Sequence, residues 1–235
     1  NQHMFKAVIF DMNGVIVQDE LIHQESVRQY CKRHGFNITE EEFKRDIFGR
    51  TEKDIFEYLY KRPITPKELK EYSNERVDGA IEIFKPQLKM ANGLEALLEN
   101  LYENNIPMAI ATNSRNRYFN FIMDGLGIRK YFKVTVTAED ITKGKPDPEI
   151  YLMTAKQLRI NPHDCIVFED TMMGIESAKA AGMKVIAIAT INSKEELGIA
   201  DKVIDSFNEI DLEALNNLGT TKIQSSFEVD KTDNA

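Results

Sequence analysis

Short, nearly uninterrupted apolar runs recur along this chain, and stretches with helical patterning separate them. The runs are rich in valine and isoleucine and have little polar alternation, which is typical of strands buried on both faces of a parallel sheet. They cover residues 7–10, 108–111, 134–136, 166–168 and 185–188, with a weaker run at 203–204. Strands that alternate with helices predict an α/β fold with a doubly wound, Rossmann-like parallel sheet.

Between the first two runs the pattern changes, because residues 17–86 contain no strand-like run. Thr39, Thr51 and Thr65 each stand three positions before an acidic residue, and Pro66 follows the last of them. These spacings are typical of helix N-termini, where proline at the first helical position loses no hydrogen bond. We therefore predict that this stretch is an all-helical cap.

The domain organisation follows from that insertion. The cap at 17–86 interrupts a catalytic α/β core, which we expect to comprise residues 4–16 and 87–218. The last segment, 219–235, is rich in Ser, Thr, Asp and Lys. Such a composition buries little apolar surface, so we predict a flexible tail there.

Charge, hydropathy and cysteine usage limit the partners of the protein. The net charge is −8 without a long basic block, so nucleic acid is not an expected partner. No apolar run approaches the roughly 20 residues that span a bilayer, so we expect no membrane contact. Cys31 and Cys165 lie far apart and lack metal-ligand spacing. We expect a cytoplasmic protein, monomeric or weakly dimeric.

Polar side chains follow several of the predicted strands at the point where each strand ends. The carboxyl ends of parallel strands meet at one edge of an open sheet, where ligands bind. The sequence therefore predicts that acids, a hydroxyl and an ammonium group converge at one crevice. In chain order these residues are Asp11, Thr112, Asn113, Lys145 (in the loop after the third strand), Glu169 and Asp170.

Four ordered motifs surround these positions and resemble those of the haloacid dehalogenase superfamily of magnesium-dependent phosphoryl-transfer enzymes. The resemblance spans residues 4–205. The helical insertion has the place of the cap in the branch that includes β-phosphoglucomutase and phosphoglycolate phosphatase. The motifs are FDMNGV at 10–15, ATN at 111–113, Lys145-Pro146, and Glu169-Asp170 followed by Gly174 and by AAG at 180–182.

The resemblance implies a magnesium site. Mg²⁺ would be held by Asp11, Asp170 and the backbone carbonyl of Asn13, all of them oxygen ligands of the kind that this hard cation prefers. Glu169 would be an additional ligand or a partner of one. Asp11 would also be the nucleophile, forming an aspartyl-phosphate intermediate.

The resemblance further implies how the phosphoryl group is held. Lys145 would pair with a phosphoryl oxygen and keep Asp11 ionised, while Thr112 and Asn113 would donate hydrogen bonds to other phosphoryl oxygens. Arg115, shortly after the second motif, is a candidate for binding a distal phosphate. Each group would act on the charge of the transferring phosphoryl group.

Two cap residues are further candidates for substrate binding. His23 lies where that branch often has a histidine that contacts substrate or shuttles a proton. Gly49, Arg50 and Thr51 resemble a cap loop that faces the active site, with Arg50 available for an anionic group. Thr51 also has the position of a helix cap, and both roles are compatible.

Asn13 departs from the pattern, because phosphatases of the family have an aspartate two positions after the nucleophile. That aspartate protonates the leaving group and activates water, help that is typically worth about 10²–10⁴-fold in rate. Three explanations are compatible with the sequence. The asparagine is an engineered substitution that traps substrate or phosphoenzyme, or the protein is a weakened or non-catalytic binder. The third explanation is that the asparagine is native, and then either the leaving groups need little protonation or a group such as Asp19 or Glu20 supplies the acid–base step.

Together these features predict a Mg²⁺-dependent phosphatase of a small phosphorylated metabolite, a sugar or polyol phosphate. A β-phosphoglucomutase-like phosphotransferase is the alternative enzyme. Lys145 and the Glu169-Asp170 pair favour metal and phosphate chemistry over dehalogenation. A non-hydrolytic sensor of phosphorylated metabolites would use the same pocket without turnover.

Overall fold

The computed structural model describes residues 4–48 and 50–220 of the chain. Within these residues one parallel sheet has the strand order β3-β2-β1-β4-β5-β6. The apolar runs correctly predicted the strands, although β3 begins before residue 134. The strands are β1 (Ala7–Phe10), β2 (Met108–Ala111), β3 (Phe132–Val136), β4 (Cys165–Glu169), β5 (Lys184–Ile188) and β6 (Lys202–Ile204).

The strand order changes direction next to β1. The chain runs outward through β2 and β3 on one side and then returns to β4 on the other side. At such a switch point the connections leave the carboxyl ends of the two central strands in opposite directions, which opens a crevice. Asp11 directly follows β1, and Asp170 directly follows β4, so both carboxylates lie at this crevice.

Helices cover both faces of the sheet because successive side chains of each strand point to opposite sides. Val8 and Phe10 belong to one buried cluster, whereas Ala7 and Ile9 belong to the other. The predicted doubly wound fold is therefore confirmed. The helices are α5 (Leu94–Glu103), α6 (Asn116–Leu126) and α9 (Leu212–Thr220) on the first face, and α7 (Glu149–Leu158) and α8 (Met172–Ala180) on the second.

Four α-helices, a short π-helical turn and a 3₁₀ turn (Lys85–Gln87) lie between β1 and α5 in the described part of the chain. Aromatic side chains, among them Tyr30 and Phe56, form a separate small core there. Val77 and Phe84, on the last of the helices, pack against the core of the sheet. The elements are α1 (Glu20–Arg33), α2 (Glu40–Glu42), the π-helical turn (Phe43–Ile47), α3 (Glu52–Tyr60) and α4 (Pro66–Phe84).

All three predicted N-caps of this helical region are present. The side-chain oxygens of Thr39, Thr51 and Thr65 each accept a hydrogen bond from the backbone N–H three residues on, at 3.2, 3.2 and 3.3 Å. At Thr39 and Thr65 the acidic residue also accepts from the N-cap backbone, which completes a capping box. Local sequence therefore determines where these helices begin.

The segment predicted as a tail begins inside the last helix. α9 continues to Thr220, and Gly219 lies against the backbone of Met4. Residues 221–235, the rest of that predicted tail, lie outside the described residues, as does Gly49 of the predicted cap loop. Among the described helices, none combines the length and the apolar character needed to cross a bilayer.

Candidate active site

Asp11 and Lys145 form a buried ion pair at the carboxyl end of β1. The backbone N–H of Asp11 donates to the carbonyl of Phe168 at 3.0 Å, which continues the pairing of β1 with β4 by one residue. Lys145 Nζ donates to Asp11 Oδ1 at 2.9 Å and to the carbonyl of Ala111 at 3.1 Å. Burial lowers the pKa of Lys145, but the carboxylates of Asp11 and Glu169 outweigh it and raise the pKa above its ordinary value.

Glu169, the last residue of β4, is fully buried behind this pair. Its Oε1 accepts hydrogen bonds from Lys145 Nζ at 2.6 Å and from the Tyr151 hydroxyl at 2.5 Å. Its Oε2 accepts from the backbone N–H of Asp170 at 3.2 Å. Both oxygens are thus held by donors, and a side chain at Gly174 would collide with the carboxyl group.

Asp11, Glu169 and Asp170 bring carboxylate oxygens within 4.8 Å of one another. Burial raises the pKa of Asp170 to about 9, and the neighbouring carboxylates add to the shift. Burial also raises the pKa of Asp11 to about 7, because Lys145 offsets only part of the effect. Three acids face one ammonium group, so the excess negative charge and the oxygen ligands fit a hard divalent cation.

The side-chain amide of Asn13 is hydrogen-bonded at both of its ends. Its Oδ1 accepts from the Ser114 hydroxyl at 2.5 Å and from the Thr112 hydroxyl at 3.4 Å. Its Nδ2 donates to Asp19 Oδ2 at 2.6 Å and lies 3.1 Å from His23 Nε2. Because a carboxylate only accepts, Asp19 fixes the amide nitrogen on its side and leaves the amide oxygen to accept from the two hydroxyls.

Asp19, just before α1, has a buried carboxylate that accepts hydrogen bonds from several donors. It accepts from the Tyr118 hydroxyl at 2.8 Å, from the backbone N–H of Gly14 at 3.3 Å and from His23 Nε2 at 3.1 Å. The other ring nitrogen of His23 lies 3.2 Å from Arg76 Nη1. A guanidinium only donates, so Nδ1 of His23 is the acceptor and Nε2 carries the proton that faces Asp19.

A cavity of about 410 Å³ separates these core residues from the cap. Its cap wall combines cationic groups with apolar ones. Arg76 is paired with Glu52 at 2.7 Å, whereas Phe48 is a partly exposed aromatic. The core wall includes Asp11, Asn13, Asn113, Ser114, Lys145 and Asp170, and the cap wall includes His23, Val27, Phe48, Arg50, Ile55 and Arg76.

Nearly all of the residues selected from the sequence come together around this cavity. Thr112 and Glu169 lie behind its wall and touch it through hydrogen bonds to Asn13 and Lys145. Arg115 is the exception, since it precedes α6 and is not among the side chains that line the cavity. Its role in binding a distal phosphate stays a prediction.

Ser114, Tyr118, Tyr151 and Arg76 were missed by the sequence-based selection. Ser114 had a signal, because it stands two positions after Thr112 on the same strand end. Tyr118 lies one turn further along, on α6. Tyr151 and Arg76 are on helix interiors, where nothing local distinguishes a residue that faces a site from one that faces a core.

Comparison with known proteins identifies the family. A family model described as haloacid dehalogenase-like hydrolase matches residues 8–188. A phosphorylated carbohydrates phosphatase from Thermotoga maritima is 33% identical over 179 residues, covering 76% of this chain and 82% of that protein.

Solved structures agree with these sequence matches. A haloacid dehalogenase hydrolase of family IA, variant 3, from Entamoeba histolytica has a TM-score of 0.85 at 32% identity, over 92% of this chain and 100% of that one. A β-phosphoglucomutase from Clostridium difficile has a TM-score of 0.77 at 26% identity, over 92% and 97%.

The predicted superfamily, fold and enzyme class are therefore confirmed. The matched segment contains Asp11 and Asp170 at the ends of β1 and β4, and Lys145 in the loop between β3 and α7. The cap lies within the matched segment as well, between β1 and α5. The chain belongs to the haloacid dehalogenase-like hydrolases.

Proposed function

We propose that this hydrolase is a Mg²⁺-dependent phosphatase of a small phosphorylated carbohydrate, a sugar or polyol phosphate. The observation that carries the proposal is the carboxylate of Asp11, which Lys145 holds at 2.9 Å in a cavity beside Asp170. The similarity to a phosphorylated carbohydrates phosphatase supports the substrate class. The cavity volume of about 410 Å³ suits a molecule of that size.

Asp11 is the nucleophile in this proposal. Lys145 binds Oδ1 and so orients the carboxylate, and the other oxygen attacks phosphorus as the bond to the leaving oxygen breaks. The phosphoryl group is negatively charged and repels an anionic nucleophile. The attack is therefore possible only where positive charge and hydrogen-bond donors offset this repulsion. Lys145 supplies part of this charge, and Asn113 and Ser114 line the same wall as donors.

A divalent cation fits the acid cluster. Mg²⁺ held by Asp11, Asp170 and the backbone carbonyl of Asn13, with Glu169 beside them, would neutralise phosphoryl charge. Tyr151 and Lys145 keep the Glu169 carboxylate in one orientation next to these ligands. The cap closes the cavity from the other side and excludes bulk water.

The leaving oxygen takes up a proton as the ester bond breaks. The amide of Asn13 has no acidic proton to give, so a water molecule in the cavity protonates the leaving oxygen and becomes hydroxide. That hydroxide takes a proton from a second water, which attacks the phosphorus of the aspartyl-phosphate. The bond from phosphorus to the Asp11 oxygen breaks, so the carboxylate is regenerated and inorganic phosphate is released. We expect turnover to fall as the leaving alcohol becomes more basic.

The test is release of inorganic phosphate from a panel of sugar phosphates, polyol phosphates, phosphoglycolate and acyl phosphates, with and without Mg²⁺. We expect Mg²⁺-dependent turnover of at least one carbohydrate phosphate and none by Asp11→Ala. The matched control is Asp124→Ala, which removes an exposed carboxylate paired with Arg129 and should leave turnover unchanged. Saturable binding without turnover by the parent would instead indicate a sensor.

A phosphotransferase of the β-phosphoglucomutase type is the second candidate. The similarity to solved β-phosphoglucomutases supports it. Arg50, on the cap wall of the cavity that holds Asp11, is available for a second phosphate. Conversion of one sugar phosphate isomer into another, without release of inorganic phosphate, would favour this candidate.

A further inference from the structure

A short hydrogen bond joins Asn13 and Asp19, which follow the nucleophile Asp11 by two and eight positions. Asn13 Nδ2 donates to Asp19 Oδ2 at 2.6 Å. The Asp19 side chain is only 1% exposed. With Tyr118, His23 and the backbone N–H of Gly14 as further donors, both of its oxygens are occupied. A carboxylate so surrounded acts as a hydrogen-bond acceptor that orients the donors around it.

Position 13 therefore has to satisfy two opposite demands. It must donate toward Asp19 and accept from the hydroxyl of Ser114. An amide does both, whereas a carboxylate of the same size only accepts. An aspartate at this position would bring two carboxylate oxygens within hydrogen-bond distance in a buried site. His23 Nε2 lies 3.1 Å from both side chains, but its single proton would have to serve two carboxylates. Like charges at such a separation destabilise each other strongly when water is excluded.

We propose that Asn13 and Asp19 form one matched unit, in which Asp19 is the positioning residue that orients the amide of Asn13. The pair carries one negative charge, located on residue 19. Asn13 is then a working residue of this site and not a disabling change. The amide is held with its oxygen toward Ser114, at the wall where the substrate binds.

The catalytic half of this inference rests on the proposed phosphatase function, and the structural half does not. If the pair is matched, aspartate at position 13 adds a negative charge beside the phosphoryl site while residue 19 keeps its own. Substrate binding should weaken for that reason. Exchanging the two residues moves the negative charge from position 19 to position 13 without adding a second one. The exchange should therefore restore much of the stability and substrate affinity that Asn13→Asp alone loses.

The experiment is a double-mutant cycle of the parent, Asn13→Asp, Asp19→Asn and the exchange variant Asn13→Asp/Asp19→Asn. The melting temperature of each is measured, together with kcat and KM for 4-nitrophenyl phosphate and for the best carbohydrate phosphate. Gln18→Glu is the matched control, because it adds the same charge at the exposed neighbour of Asp19.

We expect Asn13→Asp to lower the melting temperature by about 4 °C or more, the shift that roughly 1–2 kcal/mol produces in a protein of this size. Its KM should rise about tenfold, with a smaller effect on kcat. The exchange variant should recover at least half of both losses, since the Tyr118 hydroxyl can turn to accept. Gln18→Glu should match the parent.

Additive effects around the cycle would overturn the inference, and so would an Asn13→Asp protein as stable as the parent with an unchanged KM. The melting temperatures separate this inference from the proposed function. If no protein of the set hydrolyses phosphate esters but the stabilities are coupled, the matched pair stands and the phosphatase proposal fails. If the parent turns over and no coupling appears, the reverse holds.

Discussion

Two glycines of the site cannot carry a side chain, because the carboxyl groups of Asp170 and Glu169 pack directly against their backbone. A side chain at Gly14 would overlap the carboxyl group of Asp170, and one at Gly174 would overlap that of Glu169. Gly14 also has a φ of 73°, a left-handed conformation that side chains disfavour. The two glycines after the first and fourth strands thus leave room for the acids, which explains their place in the motifs.

Gly174→Ala should destabilise the protein because its new methyl group meets the buried Glu169 carboxyl group. Overpacking of this kind typically lowers the free energy of unfolding by about 1–3 kcal/mol, which urea denaturation would measure. Gly79→Ala is the matched control, since Gly79 is also helical and the nearest atom to an added methyl there is 3.6 Å away. The control should be neutral or stabilising by about 0.5–1 kcal/mol. Equal effects at both glycines would contradict this explanation.

At the same scale, the sequence predicted the site residues whose position alone determines their direction. Asp11 and Asp170 directly follow neighbouring strands of one sheet, so their side chains have to meet at its edge, and Lys145 lies in the loop after β3 at the same edge. Arg115 has a similar position, but its side chain does not line the cavity, because a residue at a helix start can point several ways. The contact of Asp19 with Tyr118 joins residues 99 positions apart, and no local pattern encodes such a contact.

Among the elements, the cap helices depend on short-range hydrogen bonds more than the strands do. Thr65 begins α4, the helix that carries Arg76 into the cavity wall. Its hydroxyl accepts from the backbone N–H of Glu68 at 3.3 Å, and the Glu68 carboxylate accepts from the backbone N–H of Thr65 at 2.9 Å. The hydrogen bond from Arg62, followed by those from Thr65, lowers the pKa of Glu68 to about 2.

Thr65→Ala should therefore lower the free energy of unfolding by about 1 kcal/mol, the usual effect of losing an N-cap oxygen. Thr65→Ser keeps that oxygen and should retain most of the stability, which makes it the control. Both can be compared by urea denaturation followed through helical circular dichroism. A serine variant as unstable as the alanine variant would show that the methyl group, and not the cap, is what matters.

The elements also show why the fold was more predictable than the site. Strands β1, β2 and β4 are buried throughout, so their apolar runs are unbroken and easy to find. β3 alternates between exposed and half-buried residues at its start, so its first residues lacked that signal. The π-helical turn after α2 lies within the stretch predicted to be helical, but its π-helical geometry was not predicted.

Over the whole molecule, the acid cluster makes folding dependent on protons. Burial raises the pKa of Asp11 from 3.8 to about 7 and that of Asp170 from 3.8 to about 9. Between the unfolded pKa of 3.8 and the raised pKa of each folded carboxyl group, the group is ionised in the unfolded chain but still protonated in the folded protein. Folding then takes up protons, so the contribution of these groups to stability falls as pH rises through this range.

A divalent cation should replace those protons, and its effect should therefore grow with pH. We expect millimolar Mg²⁺ to raise the melting temperature more at about pH 8.5 than at about pH 6, because at the higher pH fewer protons compete for Asp11 and Asp170. Asp170→Asn removes one ligand and one charge. Without Mg²⁺ that variant should be at least as stable as the parent at the higher pH, and Mg²⁺ should then shift its melting temperature little. An equal shift at both pH values, or one that survives in Asp170→Asn, would place the cation elsewhere than between the ends of β1 and β4.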